Sequence, residues 1–384
     1  MASTTRHYQI GRLPFSMEGD SAFAEALAAE FAPVLASPGG ASAGSGGAGG
    51  VAAGGVPLRF SVVDRLTPFP ETVAMAPVTV APDGFAFQAG KVKYQVRRDA
   101  QGLAVEVNAP RTGFPRELAP ESLQRFAHFN YLSHAERRVK MFVYDIFDYL
   151  AQDAQLPFGQ TFVHASSLER NGKAIALLAW GGIGKTTSML KLVLEDGWRF
   201  LSDDLGVIDR DGMLHRSPKH MQIYGYNLLG QQPIADAFFK ERSLADRLSW
   251  RIYRVLKSDQ RVRRRLSAES LFGAERVAKS ARLTQAIFLE RNAGREFTHT
   301  KVSAADLAQR CTAILLREID PFTLVTCAVH GGGNDRTIRT VGEVEEQSRA
   351  ILTAAFERVP CSVVSIPKGA LPDALVDYLR PRID

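Results

Sequence analysis

The stretch AWGGIGKT, residues 179–186, follows the apolar run Ala174–Trp180 and leads into Lys185–Leu194, which has a helix-forming composition. Glycines at this spacing let the backbone curl so that successive N–H groups point inward at an anion. An apolar strand, a glycine-rich turn and a helix that starts with Lys-Thr are typical of a phosphate-binding loop, here with Ala179 in place of the usual first glycine. The sequence therefore predicts a phosphate site at this turn.

The last two residues of the stretch have separate tasks in such a loop. Lys185 would reach the β- and γ-phosphates of a nucleotide, and the Thr186 hydroxyl would ligate Mg²⁺. The positive N-terminal end of the helix would add to the attraction for the anion. We therefore predict ATP and Mg²⁺ as cofactors. The residues predicted to bind the nucleotide are Gly181, Gly182, Ile183, Gly184, Lys185, Thr186 and Thr187.

Two carboxylates, Asp203 and Asp204, end the apolar run that starts at Trp198. Beside a phosphate loop, one carboxylate can hold the metal or its water while the other accepts the proton of an attacking hydroxyl. We assign the base to Asp203 by preference and the metal to Asp204 together with Thr186. These two roles could be exchanged.

The run HASSLERNGKAIALLAWGGIGKTTSMLKLVLEDGWRFLSDDLGVI, residues 164–208, resembles the catalytic domain of HPr kinase/phosphorylase and, more distantly, ATP-dependent phosphoenolpyruvate carboxykinase. The resemblance implies an α/β fold with a P-loop nucleotide core of that type. It also implies phosphate binding by the loop and an active-site role for His164, so the predicted catalytic residues are Asp203, Asp204, His164 and Lys185. Trp180-Gly181 stands where HPr kinases have Asp-Ser, which leaves the acceptor open.

Composition divides the chain into three predicted parts. Residues 1–115 would form a smaller N-terminal antiparallel β (α+β) domain with a glycine-rich insertion at 37–56, residues 116–158 a helical connection, and residues 159–384 the kinase domain. Predicted strands of the first part are Leu58–Val63, Val78–Ala81, Phe85–Ala89, Val92–Arg97 and Leu103–Val107, and Ala22–Leu35 has helical spacing. Later, Gln285–Leu289 and Thr323–Val329 are predicted as strands, and Ala304–Leu316 and Glu343–Phe356 as helices.

Whole-chain properties fit an ATP-dependent enzyme of the cytoplasm. The 384 residues carry a net charge of +6, which suits an anionic ligand but is too weak to indicate nucleic acid. The three cysteines are unclustered, and no apolar run reaches the ~18 residues that a membrane-spanning helix needs. The partners we expect are a nucleotide and a hydroxyl-bearing acceptor, with a homo-oligomer as a further option.

Two basic segments lie downstream of the loop. The cluster His215–His220 could neutralise phosphate charge or could form a solvated turn, and both interpretations stay open. The segment Arg247–Arg265 alternates arginines with Trp250, Ile252 and Val255. It could bind a membrane surface or nucleic acid, but we favour a charged helix face over the core.

The leading functional hypothesis is an ATP-dependent kinase that transfers the γ-phosphoryl group to a hydroxyl of a protein or peptide serine, an amino acid or a sugar. One alternative is a regulatory protein in which ATP acts as a switch without phosphotransfer. A lyase similar to phosphoenolpyruvate carboxykinase is the third.

Deletion of Gly39–Gly55 tests the interpretation of the insertion. Glycine-rich chain buries little surface, and loop length affects folding free energy only logarithmically, so the melting temperature and nucleotide affinity should stay nearly unchanged. A large fall in melting temperature would contradict this interpretation.

Overall fold

The computed structural model describes residues 4–36, 56–110 and 119–383, so the predicted insertion lies outside the described residues apart from Val56. The chain divides into two compact units. The first comprises Met1–Ala119, His134–Gln160 and Leu316–Ser348, and the second comprises Pro120–Ser133, Thr161–Leu315 and Arg349–Asp384. The boundaries predicted at 115 and 158 do not coincide with these units, because segments distant in sequence share one core.

The first unit contains a mixed sheet of eight strands in the order β1-β2-β3-β8-β7-β6-β5-β4. Its strands are β1 Thr4–Ile10, β2 Leu13–Gly19, β3 Leu58–Val62, β4 Val73–Met75, β5 Val78–Ala81, β6 Gly84–Ala89, β7 Val92–Asp99 and β8 Gly102–Asn108. The five predicted strands coincide with β3 and β5–β8 within two residues at each end. The sheet is not purely antiparallel as predicted, because β3 runs parallel to both β2 and β8.

The β1–β2 hairpin was not predicted from the sequence. Its turn contains Gly11 with a φ of 56°, a backbone conformation that glycine adopts without steric cost. Tyr8 and Ile10 on β1, like Leu13 and Phe15 on β2, are buried, so the hairpin presents alternate side chains to the core. The alternation extends over only two short strands and is interrupted by Gly11 and Pro14, so it gives a weak signal in the sequence.

Aromatic side chains join this sheet to the helices of the first unit. These helices are α1 Ala22–Phe31, α3 His134–Phe142, which continues through a π-helical turn Val143–Phe147, and α4 Asp148–Gln155. Phe147 packs against Phe15, Phe31 and Phe60 with ring centroids 4.7–5.9 Å apart. Phe142, Phe147 and Tyr149 of the predicted helical connection therefore belong to the core of the first unit, whereas its residues Pro120–Ser133 belong to the second unit.

The second unit is built on a mixed sheet with strands β9–β13 and β16–β18, in the order β10-β9-β12-β13-β16-β18-β17, with β11 against β9 and β10 also against β16. The strands are β9 Gln160–Arg170, β10 Lys173–Ala179, β11 Arg199–Ser202, β12 Leu205–Asp209, β13 Met213–His215, β16 Ser280–Asn292, β17 Thr298–Lys301 and β18 Cys361–Pro367. A separate ribbon pairs β14 Met221–Tyr224 with β15 Arg263–Leu266. Strands β10, β16 and β18 run parallel, as an α/β fold requires.

The remaining helices agree with the sequence in part. They are α2 Glu121–Phe126, α5 Lys185–Glu195, α6 Gln232–Phe239, α7 Leu244–Lys257, α8 Ala268–Phe272, α9 Ala304–Glu318, α10 Asp320–Gly331, α11 Val341–Phe356 and α12 Pro372–Leu379. The strand predicted at Thr323–Val329 is wrong, because that segment lies within α10. Its β-branched residues favour a strand only weakly, and Asp320-Pro321 starts a helix.

The structure agrees with the favoured interpretation of the basic helix only in part. Trp250 of α7 is buried, but Ile252, Val255 and Leu256 are exposed, so most of the large apolar side chains of this helix do not cover the core.

Substitution of Phe147 by Ala tests the aromatic core of the first unit. Removal of this fully buried ring should lower the free energy of unfolding by about 3–5 kcal/mol, because the surrounding rings cannot refill the space. Leu324→Ala, at an exposed position, is the control and should change it by no more than ~0.5 kcal/mol. Equal effects in urea unfolding would contradict this account of the core.

Candidate active site

The predicted phosphate loop lies between β10 and α5, at residues 180–184, and is called the 180–184 loop below. Gly182 and Gly184 have φ values of 77° and 120°, a region that side-chain-bearing residues rarely adopt. A Cβ on Gly182 would meet no atom within 4 Å, so backbone conformation rather than space requires glycine there. Ile183 packs its side chain on the core and offers only its backbone to a ligand.

Lys185, the first residue of α5, is buried and spans the loop. Its Nζ donates to the carbonyl oxygens of Ala179 at 2.8 Å and Trp180 at 3.1 Å. An ammonium group has three donors, and two of them are used by these carbonyl oxygens, which hold the charge beside the loop. Lys185 therefore lies against the backbone of the loop, and its contact with a phosphate stays a prediction.

Asp203 links three segments of the second unit. The Thr186 hydroxyl on α5 lies 3.1 Å from both of its carboxylate oxygens, and the Ser166 hydroxyl on β9 donates to one of them. Burial raises the pKa of the Asp203 carboxyl, and the neighbouring charge of Asp204 raises it further. The predicted metal set joined Thr186 to Asp204, whereas the hydrogen bonds of Thr186 run to Asp203.

Asp204 occupies a distinct environment although it is the next residue. Its φ of 70° lies in the left-handed region, which Asp tolerates better than most residues, and its carbonyl oxygen accepts the Ala165 N–H at 2.9 Å. Its carboxylate contacts Lys219 Nζ at 3.0 Å and His164 Nδ1 at 3.6 Å. Its side chain is 32% exposed, so this carboxylate remains accessible to solvent.

The pKa values of Asp204 and of its neighbour His164 are both lowered, but for different reasons. Burial opposes ionisation of Asp204, but the ammonium group of Lys219 outweighs it and holds the pKa of the carboxyl below its usual value. Burial, followed by the charge of Lys185, lowers the pKa of His164 from 6.5 to about 3. His164 is therefore a neutral imidazole at neutral pH, and its contact with Asp204 is not an ion pair between two charges.

The residues of the basic cluster predicted at His215–His220 have different partners in the structure. Lys219 is buried and faces Asp204, whereas Arg216 pairs with Glu269 and His215 lies 3.7 Å from Asp209. Only Lys219 among these three contacts the aspartate pair. A single buried lysine cannot be distinguished from its basic neighbours in the sequence.

Sequence reasoning missed Ser166 and Tyr226. Ser166 lies two residues after His164, so the alternation of β9 places both side chains on one face of the strand. Burial, followed by the charges of Tyr224 and Asp203, raises the pKa of Tyr226 to about 12. The hydroxyl of Thr187, a residue predicted to bind nucleotide, accepts from Asn227 Nδ2 at 2.8 Å.

The oxygen donors of this site fit a magnesium ion. Mg²⁺ prefers hard oxygen ligands, and the Thr186 hydroxyl and Asp203 carboxylate meet at one place. Burial raises the pKa of the Asp203 carboxyl, and a cation held there would offset the cost of burying its charge.

Comparisons with known proteins add little to this geometry. No protein-family model and no curated protein matches the chain. Among solved structures, the Hpr(Ser) kinase/phosphatase from Coxiella burnetii is similar over 58% of this chain and 95% of that chain, with 11% sequence identity and a TM-score of 0.27. A likeness at that score carries no argument, so any function has to be argued from the site. Within the described ranges, none of the helices combines the length and apolar character needed to cross a bilayer.

Burial of neutral His164 predicts a specific acid sensitivity. Below pH 6.5 the unfolded chain binds a proton on this residue, but the folded chain does not do so until about pH 3, so stability falls as pH drops through this window. At pH 5 the loss from this one group amounts to about 2 kcal/mol.

Urea unfolding of the wild type and His164→Gln at pH 7.5 and pH 5 measures that loss. The variant should lose about 2 kcal/mol less than the wild type between the two pH values, since glutamine does not titrate. His7→Gln, at an exposed position, is the control and should behave as the wild type. An identical pH dependence in His164→Gln would show that the histidine is not held neutral.

Proposed function

We propose that the chain is an ATP-dependent phosphotransferase that transfers the γ-phosphoryl group to a hydroxyl. The observation that carries the proposal is the hydrogen bonding of Thr186 to Asp203 next to Lys185 and the 180–184 loop. A metal-nucleotide complex is bound by groups of these kinds. Here a hydroxyl and an ammonium group lie in the first turn of α5, and a buried carboxylate lies beside that turn. The mixed α/β fold of the second unit is compatible with this function.

Backbone N–H groups of the loop and of α5, together with Lys185, would bind the phosphates. The conformations of Gly182 and Gly184 turn the chain around the loop, and the first N–H groups of α5 have no acceptor within the helix. These donors, the positive end of α5 and the ammonium group of Lys185 would offset phosphate charge. Lys185 is held by two carbonyl oxygens, so its charge is in place before a nucleotide arrives.

Magnesium would be held by Thr186 and Asp203, rather than by Thr186 and Asp204. When bound, Mg²⁺ neutralises charge on the β- and γ-phosphates. Ser166 would orient the carboxylate of Asp203 through its hydrogen bond. This assignment exchanges the roles preferred from the sequence, and it rests on the distances from Thr186.

Asp204 would then accept the proton of the attacking hydroxyl. A general base has to be ionised and accessible, and Asp204 meets both conditions because its pKa is lowered and its side chain is partly exposed. Lys219 would hold the carboxylate in position at 3.0 Å, at the expense of some basicity. Neutral His164 would serve as a polar neighbour of Asp204 rather than as an acid.

One observation favours the alternative of a nucleotide switch without transfer. The Asp204 carboxylate is already paired with a buried lysine, and a carboxylate held in this way is a weak base. In that case both aspartates would serve nucleotide binding alone.

Conservative variants of the two aspartates separate these functions. Asp204→Asn should keep most of the Mg·ATP affinity but lower transfer by ~10²-fold or more, since a positioned base is lost. Asp203→Asn should instead weaken Mg²⁺-dependent ATP binding. Affinity is measured by calorimetry, and transfer with labelled ATP against seryl peptides, free amino acids and sugars.

Lys185→Ala should abolish transfer and weaken ATP binding, because the charge next to the phosphates is lost. Lys191→Ala is the matched control, since Lys191 lies on the same helix but pairs with Glu195 and Asp373. Near-normal turnover in Lys185→Ala would remove the loop from the mechanism. Parallel loss of affinity in both aspartate variants, with no acceptor phosphorylated by the wild type, would favour the switch.

A further inference from the structure

Helix α7 presents a row of large apolar side chains to solvent. We call this row the outer face of α7; it consists of Leu244, Leu248, Ile252, Val255 and Leu256. Leu244 is 83% exposed and Val255 is 88% exposed, values expected for charged residues rather than for aliphatic ones. At about 100° per residue, the five positions fall within an arc of about 120°. The exposed surface is therefore a continuous stripe and not a set of scattered residues.

The orientation of the helix is fixed by polar contacts on its inner side. Asp246 is buried and accepts from Arg264 at 2.7 Å and from Arg242 at 2.6 Å. Trp250, also buried, packs against Phe238 with ring centroids 4.9 Å apart. Rotation of α7 to bury the apolar stripe would expose this tryptophan and break a buried ion pair, which is strongly destabilising. The stripe consequently faces outward as a stable feature of the second unit.

The charges around the stripe are positive. Arg251 lies on the helix beside it, and Lys257 and Arg261 follow at its C-terminal end; all three are exposed. The acidic residues of the same segment, Asp246 and Asp259, are each bonded to arginine. An outward apolar arc with an arginine at its margin and further cations at the end of the helix is the pattern of a helix that lies in the plane of a membrane interface.

We propose that α7 docks this protein on the surface of an anionic lipid bilayer. The apolar side chains would enter the boundary between headgroups and acyl chains, while Arg251 would extend to the phosphates of the lipids and Lys257 and Arg261 would add positive charge at the C-terminal end of the helix. A second copy of the chain fits less well, because two outer faces packed together would bring the same cations against each other. The inference does not depend on the proposed phosphotransfer.

Binding of the full-length protein to vesicles tests this proposal. Vesicles of phosphatidylcholine with phosphatidylglycerol should bind the wild type, and binding should fall as salt rises; vesicles of phosphatidylcholine alone should bind it much more weakly. Leu248→Ser with Val255→Ser should reduce partitioning by ~10²-fold or more, since each buried aliphatic side chain contributes roughly tenfold. Arg251→Gln should reduce it about fivefold, the effect of one cation near an anionic surface.

The control is Leu324→Ser, at another half-exposed leucine outside α7, which should partition as the wild type does. All substituted positions are exposed, so thermal unfolding should remain unchanged and show that the variants are folded. Wild-type protein that fails to bind anionic vesicles would overturn the proposal. An oligomer that the double variant dissociates, with no vesicle binding, would overturn it in favour of a second copy.

Discussion

The hydrogen bonds of the buried Asp203 carboxylate hold the candidate site together. Ser166 reaches it from β9 and Thr186 from α5, while the aspartate itself lies on the turn between β11 and β12. Three segments that are separate in sequence thus meet at two oxygen atoms. Because a buried carboxylate is costly without such donors, replacement of either hydroxyl would leave the charge poorly satisfied. This constraint sets the position of the first turn of α5 relative to the turn that carries Asp204.

The charges of the site are nearly balanced among its own residues. Lys185 and Lys219 supply two positive charges, the two aspartates supply up to two negative charges, and His164 is neutral. The polyphosphate of a nucleotide would upset this balance, so additional positive charge has to accompany it. The N-terminus of α5 can provide part, and a divalent cation at Thr186 and Asp203 can provide the rest. The same balance explains why Asp203, not Asp204, has the raised pKa: burial raises the pKa of Asp203, whereas the contact with Lys219 lowers that of Asp204.

The local sequence was sufficient to predict the strand, loop and helix of the candidate site, but it was insufficient to predict contacts between distant segments. The glycines at 182 and 184 and the apolar run before them predicted the strand, loop and helix, because backbone conformation is determined within a few residues. The position of Lys219 depends on a turn after β13 and could not be read from neighbours that are also basic. Residues 116–158 were predicted as a helical connection because their periodicity shows apolar helices but not which core they enter; residues 134–160 belong to the first unit. The run Thr323–Val329 has strand composition, and tertiary packing together with Asp320-Pro321 makes it a helix.

The outer face of α7 is a further example of what periodicity leaves undecided. An amphipathic pattern indicates that one side of a helix differs from the other, but not which side faces the core. In α7 the buried ion pair of Asp246 with Arg264 and the packing of Trp250 decide the orientation, and both partners of these contacts lie on other elements. The apolar side is then left for solvent or for a partner.

The most direct test of the central claim is the magnesium dependence of ATP binding in Thr186→Val. This substitution keeps the shape of the side chain and removes only the hydroxyl that meets Asp203. Calorimetric titration of ATP with and without Mg²⁺ should show that the cation strengthens binding to the wild type and has little effect on the variant. If Mg²⁺ strengthens ATP binding equally in both proteins, Thr186 and Asp203 do not form the metal-nucleotide site.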